Sequence, residues 1–365
     1  MESHRSLPGH SGTGYLSGRR GPAGNAVPWE WAEQGLDDLT SSASNQTGSG
    51  SIGPSGTSAR DLLIKSIMPP IAEDDSQSSA IAEMERVLRE NLSAAERRIQ
   101  NALCPIYGCD DRGKPYLIGS SLLLSVGDKI LFVTAAHVLD WNKDTSLYVA
   151  GPVKPILIEG DSYRTQPPKA GRDEDLAGLG IIDVSNIPRG QWSRYRILTP
   201  ADLDVDDFPA EHTLYGFAGF PITRNRVYLT TIKPSSMACV VVASPPDAYA
   251  RLGLHPATHF LGNFARNRQV NSVKGLFTGP DPKGMSGGGV WRLGTPKEFA
   301  MGTISERLIG IGIEHRKDDK VLLGVRVSAV VALIGAVYPD VLALLPTPKS
   351  VRVIATEVKG PSVGC

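Results

Sequence analysis

From Cys104 onward the chain is a succession of short apolar runs, each closed off by Gly, Pro or Asp. Tyr116 to Leu124 and Ile130 to Thr134 are joined by Gly127-Asp128. Leu147 to Ala150, Ile156 to Ile158, Leu176 to Ile182, Thr213 to Phe217, Val227 to Ile232 and Cys239 to Ala243 follow. Phe299 to Ile304, Leu308 to Ile313 and Val321 to Val327 complete the series. Short apolar runs between turn formers read as strands. Many of them in succession mean an all-β sandwich or barrel, not a βαβ fold. Ser328 to Val337 is small and apolar and reads as a closing helix, with Pro339 just beyond to stop it.

The sequence ahead of this body has a different texture. Residues 1–78 are rich in Gly, Ser, Pro and Asn and bury too little apolar surface to offset ordering entropy, so they read as a flexible tail. Two islands interrupt it, Pro28-Trp29-Glu30-Trp31 running on to Leu39, and Leu62 to Met68. Such islands are either docking motifs for a partner protein or segments that pack back onto the chain's own domain. Residues 79–103 carry Ile81, Met84, Leu88, Leu92, Ala95, Ile99 and Leu103 on one helical face, with Ser79 as N-cap and Glu83 and Glu85 in the first turn. The body spans 104–345, and 346–365 reads as a loose tail.

Charge and cysteine content exclude several function classes. The 38 Lys and Arg equal the 38 Asp and Glu, which argues against binding nucleic acid or an anionic membrane. No apolar run reaches membrane-spanning length, and no apolar segment follows Met1 to Arg5 as a secretory leader would require. The 4 cysteines, Cys104, Cys109, Cys239 and Cys365, are too few for a disulfide framework, and none has zinc spacing with His. Reduced thiols in a cytoplasmic protein without metal or cofactor are expected, although Cys104 and Cys109 are near enough to bridge a short loop.

The chemistry is carried by three stretches. Gly284-Met285-Ser286-Gly287-Gly288 is a serine among glycines ahead of Val290 and Trp291. A serine hydroxyl needs a base to take its proton, and the base needs an acid to orient it. The oxyanion of an acyl intermediate needs two backbone N–H donors, for which Gly284 and Ser286 are placed. Thr134-Ala135-Ala136-His137 sets a histidine behind an apolar strand and two small residues. Asp175 opens Leu176-Ala177-Gly178-Leu179, where a buried carboxylate is costly without a partner such as the His137 N–H.

In the order His, Asp, Ser, these stretches resemble the three signatures of the chymotrypsin/trypsin-like serine peptidase family, over about residues 104–340. The resemblance implies a double β-barrel with the site between the barrels, and a serine endopeptidase with His137 as general base, Asp175 as its orienter and Ser286 as nucleophile. Tyr215-Gly216-Phe217 to Gly219-Phe220-Pro221 is similar to a segment early in the second barrel of bacterial members, and Leu308-Ile309-Gly310-Ile311 to the strand lining the substrate groove. By the same analogy Pro280 and Asp281 form the pocket floor, and Ile313, Glu314 and His315 the groove wall. Met285 stands where digestive members carry an aspartate that pairs with a new N-terminus, so that ion pair does not form here. With the missing disulfides, this points to intracellular, bacterial-type relatives.

Other readings are weaker. Gly-x-Ser-x-Gly also marks the nucleophile elbow of α/β-hydrolases, but there the order is Ser, acid, His, and only His315 follows Ser286. A trypsin-like domain that has lost catalysis and binds protein is the alternative from a different class. Asp173 is a fallback acid, and His212, His255 and His259 lack a motif and read as structural. The expected partners are a protein or peptide substrate and a protein docking on the N-terminal region.

Overall fold

The computed structural model describes residues 30–31, 75–165, 178–206, 213–225, 227–228, 231–271, 275–347 and 355–358. In chain order it contains β1 (Glu30–Trp31), α1 (Asp75–Ala102), β2 (Leu103–Cys109), β3 (Pro115–Val126), β4 (Lys129–Ala135), α2 (Ala136–Asp140), β5 (Tyr148–Val149), β6 (Ile156–Leu157), β7 (Ser162–Thr165) and β8 (Leu179–Asp183). Then come β9 (Leu214–Gly219), β10 (Val227–Tyr228), β11 (Thr231–Ile232), β12 (Met237–Ala243), α3 (Pro246–Arg251), β13 (His259–Asn263), β14 (Gln269–Asn271) and β15 (Gly275–Phe277). The last elements are β16 (Gly289–Gly294), α4 (Pro296–Ala300), β17 (Arg307–Arg316), β18 (Val321–Arg326), α5 (Val327–Val337) and β19 (Ala355–Val358).

Two sheets hold the core. β12-β13-β18-β17-β16-β9 close into a six-stranded antiparallel barrel. Its apolar residues include Tyr215, Phe217, Phe260, Val290, Ile309 and Leu322, all fully or almost fully buried. Each such side chain contributes about 1.5–3 kcal/mol on burial. The other sheet is open and eight-stranded, in the order β19-β7-β8-β4-β3-β2-β5-β6. The β3–β4 hairpin turns through two residues, with Val126 paired to Lys129, and only Gly127 has a positive φ, 60°. That is the II′ pattern, whose twist matches the strands it joins.

The connection between the sheets is held at both ends. Leu198 N–H donates to Leu123 O and Ser125 N–H to Leu198 O, each at 2.8 Å, tying the connection to β3. Five residues later Leu203 bridges Leu308 on β17. α5 packs against β17 and β18 and also β7, β8 and β19, so its buried Val330, Val331, Leu333 and Ile334 join the two sheets into one core. α1 lies against β9, β12, β14 and α4, burying Ala95 and Ile99 from the expected stripe and Ala102 beside them.

The expected double barrel is present as one closed barrel and one half-barrel sheet. The structure departs from the sequence reading elsewhere. The helix starts at Asp75 rather than at 79. Phe299 to Ile304 is not a strand: α4 ends there, nucleated by Pro296 at its first position and a reciprocal box in which Glu298 N–H donates to Thr295 Oγ1 and Thr295 N–H to Glu298 Oε2. Ala355–Val358, read as loose tail, is an edge strand on β7. Glu30–Trp31, within the other tail, pairs in parallel with β11. The rest of the first island, the second island, Asp173, Asp175 and His212 lie outside the described residues.

Candidate active site

Ser286 is half-buried on the turn that leads into β16. Carbonyls pin this turn from both directions. Met285 N–H donates to Pro282 O (2.9 Å), Gly288 N–H to Met285 O (2.9 Å), and Gly287 N–H to Gly312 O (2.7 Å). Ile222 N–H donates to Lys283 O (2.8 Å). In a trans peptide the C=O and the following N–H point in opposite directions. Fixing Lys283 O on Ile222 therefore turns the Gly284 N–H away from that segment, and fixing Met285 O on Gly288 does the same for the Ser286 N–H. Among the described residues neither N–H donates to a backbone carbonyl.

The glycines are required here. Gly284 has φ 95° and Gly287 φ 87°, in the region that L side chains rarely adopt. A Cβ on Gly284 would lie 2.8 Å from Phe220 O, and one on Gly287 would lie 1.9 Å from Ser120 O and 2.1 Å from Thr134 Oγ1. The serine turn thus seats directly on β3 and β4.

Ser120, which the sequence reading passed over, is the clamp. It is fully buried. Its N–H donates to Ser286 O (2.8 Å), its Oγ donates to Gly284 O (3.0 Å) and accepts from Phe220 N–H (2.8 Å), and its carbonyl accepts from Thr134 Oγ1 (2.7 Å). The signal available in the sequence was the pair Ser120-Ser121 inside an apolar strand, since buried hydroxyls need partners.

His137 is half-buried on α2, the helical turn that follows β4 without a break. Ala136 N–H donates to Gly178 O at 2.7 Å, and Leu139 packs so closely on β8 that a Cβ on Gly180 would lie 2.3 Å from its Cδ1. At the other end of the turn Asp140 Oδ1 accepts from Arg164 Nη1 (3.0 Å) and Lys143 Nζ (2.9 Å). The histidine and serine elements meet at Gly119, where a Cβ would lie 2.8 Å from Val138 Cγ2 and 3.1 Å from Ser286 O. Val138 and Ser286 therefore flank one residue of β3.

The Ser286 hydroxyl itself donates to Ile313 O at 3.0 Å. Ile313 is the extra residue of a bulge in β17, between the pairs Gly312–Gly324 and Glu314–Leu323. A bulge of this kind re-aims the strand it interrupts. Glu314 accepts from Arg316 Nε at 3.2 Å, and His315 packs edge-on to Phe264 with ring centroids 5.2 Å apart. Burial holds the His315 imidazole below its usual range, against an opposing pull from Asp281. Asp281 Oδ1 accepts from Lys283 N–H (3.1 Å) and Oδ2 lies 4.0 Å from Lys317 Nζ, so this carboxylate braces the serine turn. Pro280 is half-buried just ahead of it. Met285 is buried with Phe217, Met237 and Phe264 in the barrel core and anchors the turn by apolar contact. Among the described residues no three His, Cys, Asp or Glu side chains converge as metal ligands.

A closed antiparallel barrel thus carries the serine turn, and an open sheet beside it carries the histidine turn. The fold is chymotrypsin-like. No family model matches the chain, and no curated protein matches it. Among solved structures it is similar to neuropsin, a serine protease expressed in the limbic system of mouse brain, at 15% identity and a TM-score of 0.37. That match covers 62% of this chain and 89% of neuropsin.

Proposed function

We propose that this chain is a serine endopeptidase that hydrolyses peptide bonds through an acyl-enzyme. The observation that carries the reading is the serine turn, whose pinned carbonyls leave the Gly284 and Ser286 N–H groups for a developing oxyanion. The Ser286 hydroxyl turns from Ile313 O toward His137 and attacks the substrate carbonyl carbon as the imidazole takes its proton. The carbonyl oxygen becomes the oxyanion. His137 then gives the proton to the leaving amine, and the C–N bond breaks. Water, deprotonated by His137, releases the acyl group and restores the serine. Asp175 orients the imidazole: it precedes Gly178 by three residues, and Gly178 O holds the turn that carries His137. Asp175→Asn is expected to lower the rate by about 10⁴, as for other triad acids, and Asp173→Asn to leave it unchanged.

Specificity is assigned to Pro280 and Asp281 at the pocket floor and to Ile313, Glu314 and His315 along the groove. The N-terminal region regulates or recruits. Its Glu30–Trp31 strand pairs with β11, in the stretch just beyond the Ile222 contact that braces Lys283. Removing residues 1–70 while keeping α1 is expected to change the cleavage rate or partner binding, and unchanged values for both would discard that role. The enzyme is assigned to the reducing cytoplasm, as an intracellular, bacterial-type relative. Its Cys104, Cys109 and Cys239 are free, and burial raises all three thiols above their usual range, Cys109 to about 11.

A second reading, a silent trypsin-like domain that only binds protein, rests on the bond from the Ser286 hydroxyl to Ile313 O. Profiling a peptide library separates the two. The endopeptidase reading expects cleavage by the wild type and none by Ser286→Ala; a wild type as inert as the variant overturns it.

A further inference from the structure

Away from Ser286 the chain holds a cleft of about 550 Å³ between α1, the connection around Arg196–Asp202, and the segment that leads into β17. Arg307, at the start of β17, is six residues from Ile313, which puts the cleft roughly 20 Å from the serine at about 3.3 Å per strand residue. Arg98, Arg196 and Arg307 all line it, together with Asp202 and Glu306. Both carboxylates are already engaged. Glu306 takes Arg98 through Nε and Nη2, one bond to each oxygen. Asp202 Oδ1 takes Arg196 Nη2, and its Oδ2 accepts from Thr199 N–H (2.8 Å) and Thr199 Oγ1 (2.9 Å). The guanidinium donors are not exhausted. Arg307 has no ion-pair partner among the described residues, and its cross-strand neighbour Arg292 is neutralised by Glu298.

We infer that this cleft is an anion site for the phosphate group of a small phosphorylated molecule. Several guanidinium groups around one space suit an anion with three acceptor oxygens better than a carboxylate, which one fork satisfies. The volume exceeds that of a phosphate ion and lies in the range of small-molecule sites, so there is room for an organic group on the ion, with Asn91 and Ser305 also lining the cleft. A ligand here bridges α1 to the connection between the two sheets, and so couples the N-terminal helix to the catalytic body at a distance from Ser286.

Calorimetric titration of the full chain, freed of phosphate and held at constant ionic strength, tests the site with glycerol 3-phosphate, inorganic phosphate, acetate and chloride. Saturable binding of glycerol 3-phosphate is expected, tighter than that of inorganic phosphate, with no saturable heat from acetate or chloride. Arg307→Gln, which breaks no ion pair, is expected to weaken binding about tenfold or more, the scale of one charge-assisted contact, with an unchanged melting temperature. Arg196→Gln is expected to weaken it as well. Heats no larger than those of chloride would mean that water alone fills the cleft. That outcome overturns the inference, as does equal binding of acetate, a preference for inorganic phosphate, or binding that Arg307→Gln leaves unchanged. The readout does not involve proteolysis, so its failure is distinct from failure of the peptidase reading.

Discussion

Ser120 joins β3, β4, the serine turn and the end of β9 with its side chain, its N–H and its C=O. Ser120→Ala leaves Gly284 O and Phe220 N–H short of a buried partner, so a destabilisation of about 1–3 kcal/mol is expected in denaturant unfolding. On the proposed peptidase reading, losing the hold on Gly284 O also loosens the turn that carries the oxyanion donors. Full loss of one such donor costs about 10²–10³ in rate, which bounds the expected fall in the acylation rate. Gly287→Ala is a harsher change: its Cβ would overlap Ser120 O at a φ of 87°, so the chain is expected not to fold to the same state, seen as lost cooperative unfolding. The glycines were legible in the sequence because a turn with positive φ at Gly284 and Gly287 demands them. Ser120 was not, since its role comes from contacts with residues 100 and 164 positions away, which no local pattern encodes.

At the scale of elements, apolar runs bounded by turn formers located most strands, the spacing of three and four located α1, and a small apolar run stopped by Pro339 located α5. α4 shows where this fails. Phe299 reads as strand by type, yet the cap at Thr295 and Glu298 and the proline between them fix a helical turn. Cap chemistry outweighed an apolar run too short to distinguish the two. Thr295→Ala is expected to cost about 1 kcal/mol, measurable as a lowered unfolding midpoint, without effect on a serine that lies at the other end of β16. The opening of the first sheet and the β1 and β19 additions were also hidden, because pairing partners far apart in sequence leave no local signal.

For the whole molecule, the two sheets meet through the serine turn, the connection at Leu198–Leu203 and α5, so the site should lose its geometry only with global unfolding. pH offers a check on the groove. Burial lowers the His315 pKa from its usual 6.5, so the unfolded chain binds this proton more readily than the folded one. Stability from this group is complete above about 6.5 and is lost as pH falls through the lowered folded value. His315→Gln is expected to flatten that acid slope in a series of unfolding midpoints from about pH 7 to 5, the window set by the usual histidine value.

The central claim is that Ser286 is a nucleophile activated by His137. Labelling with a fluorophosphonate, followed by peptide mapping of the adduct, tests it most directly. The account predicts a single adduct on Ser286 in the wild type, none in Ser286→Ala, and a labelling rate lower by several orders of magnitude in His137→Ala, as for other triad members. Equal labelling of wild type and Ser286→Ala, an adduct on another residue, or no adduct in any of the three proteins would contradict it.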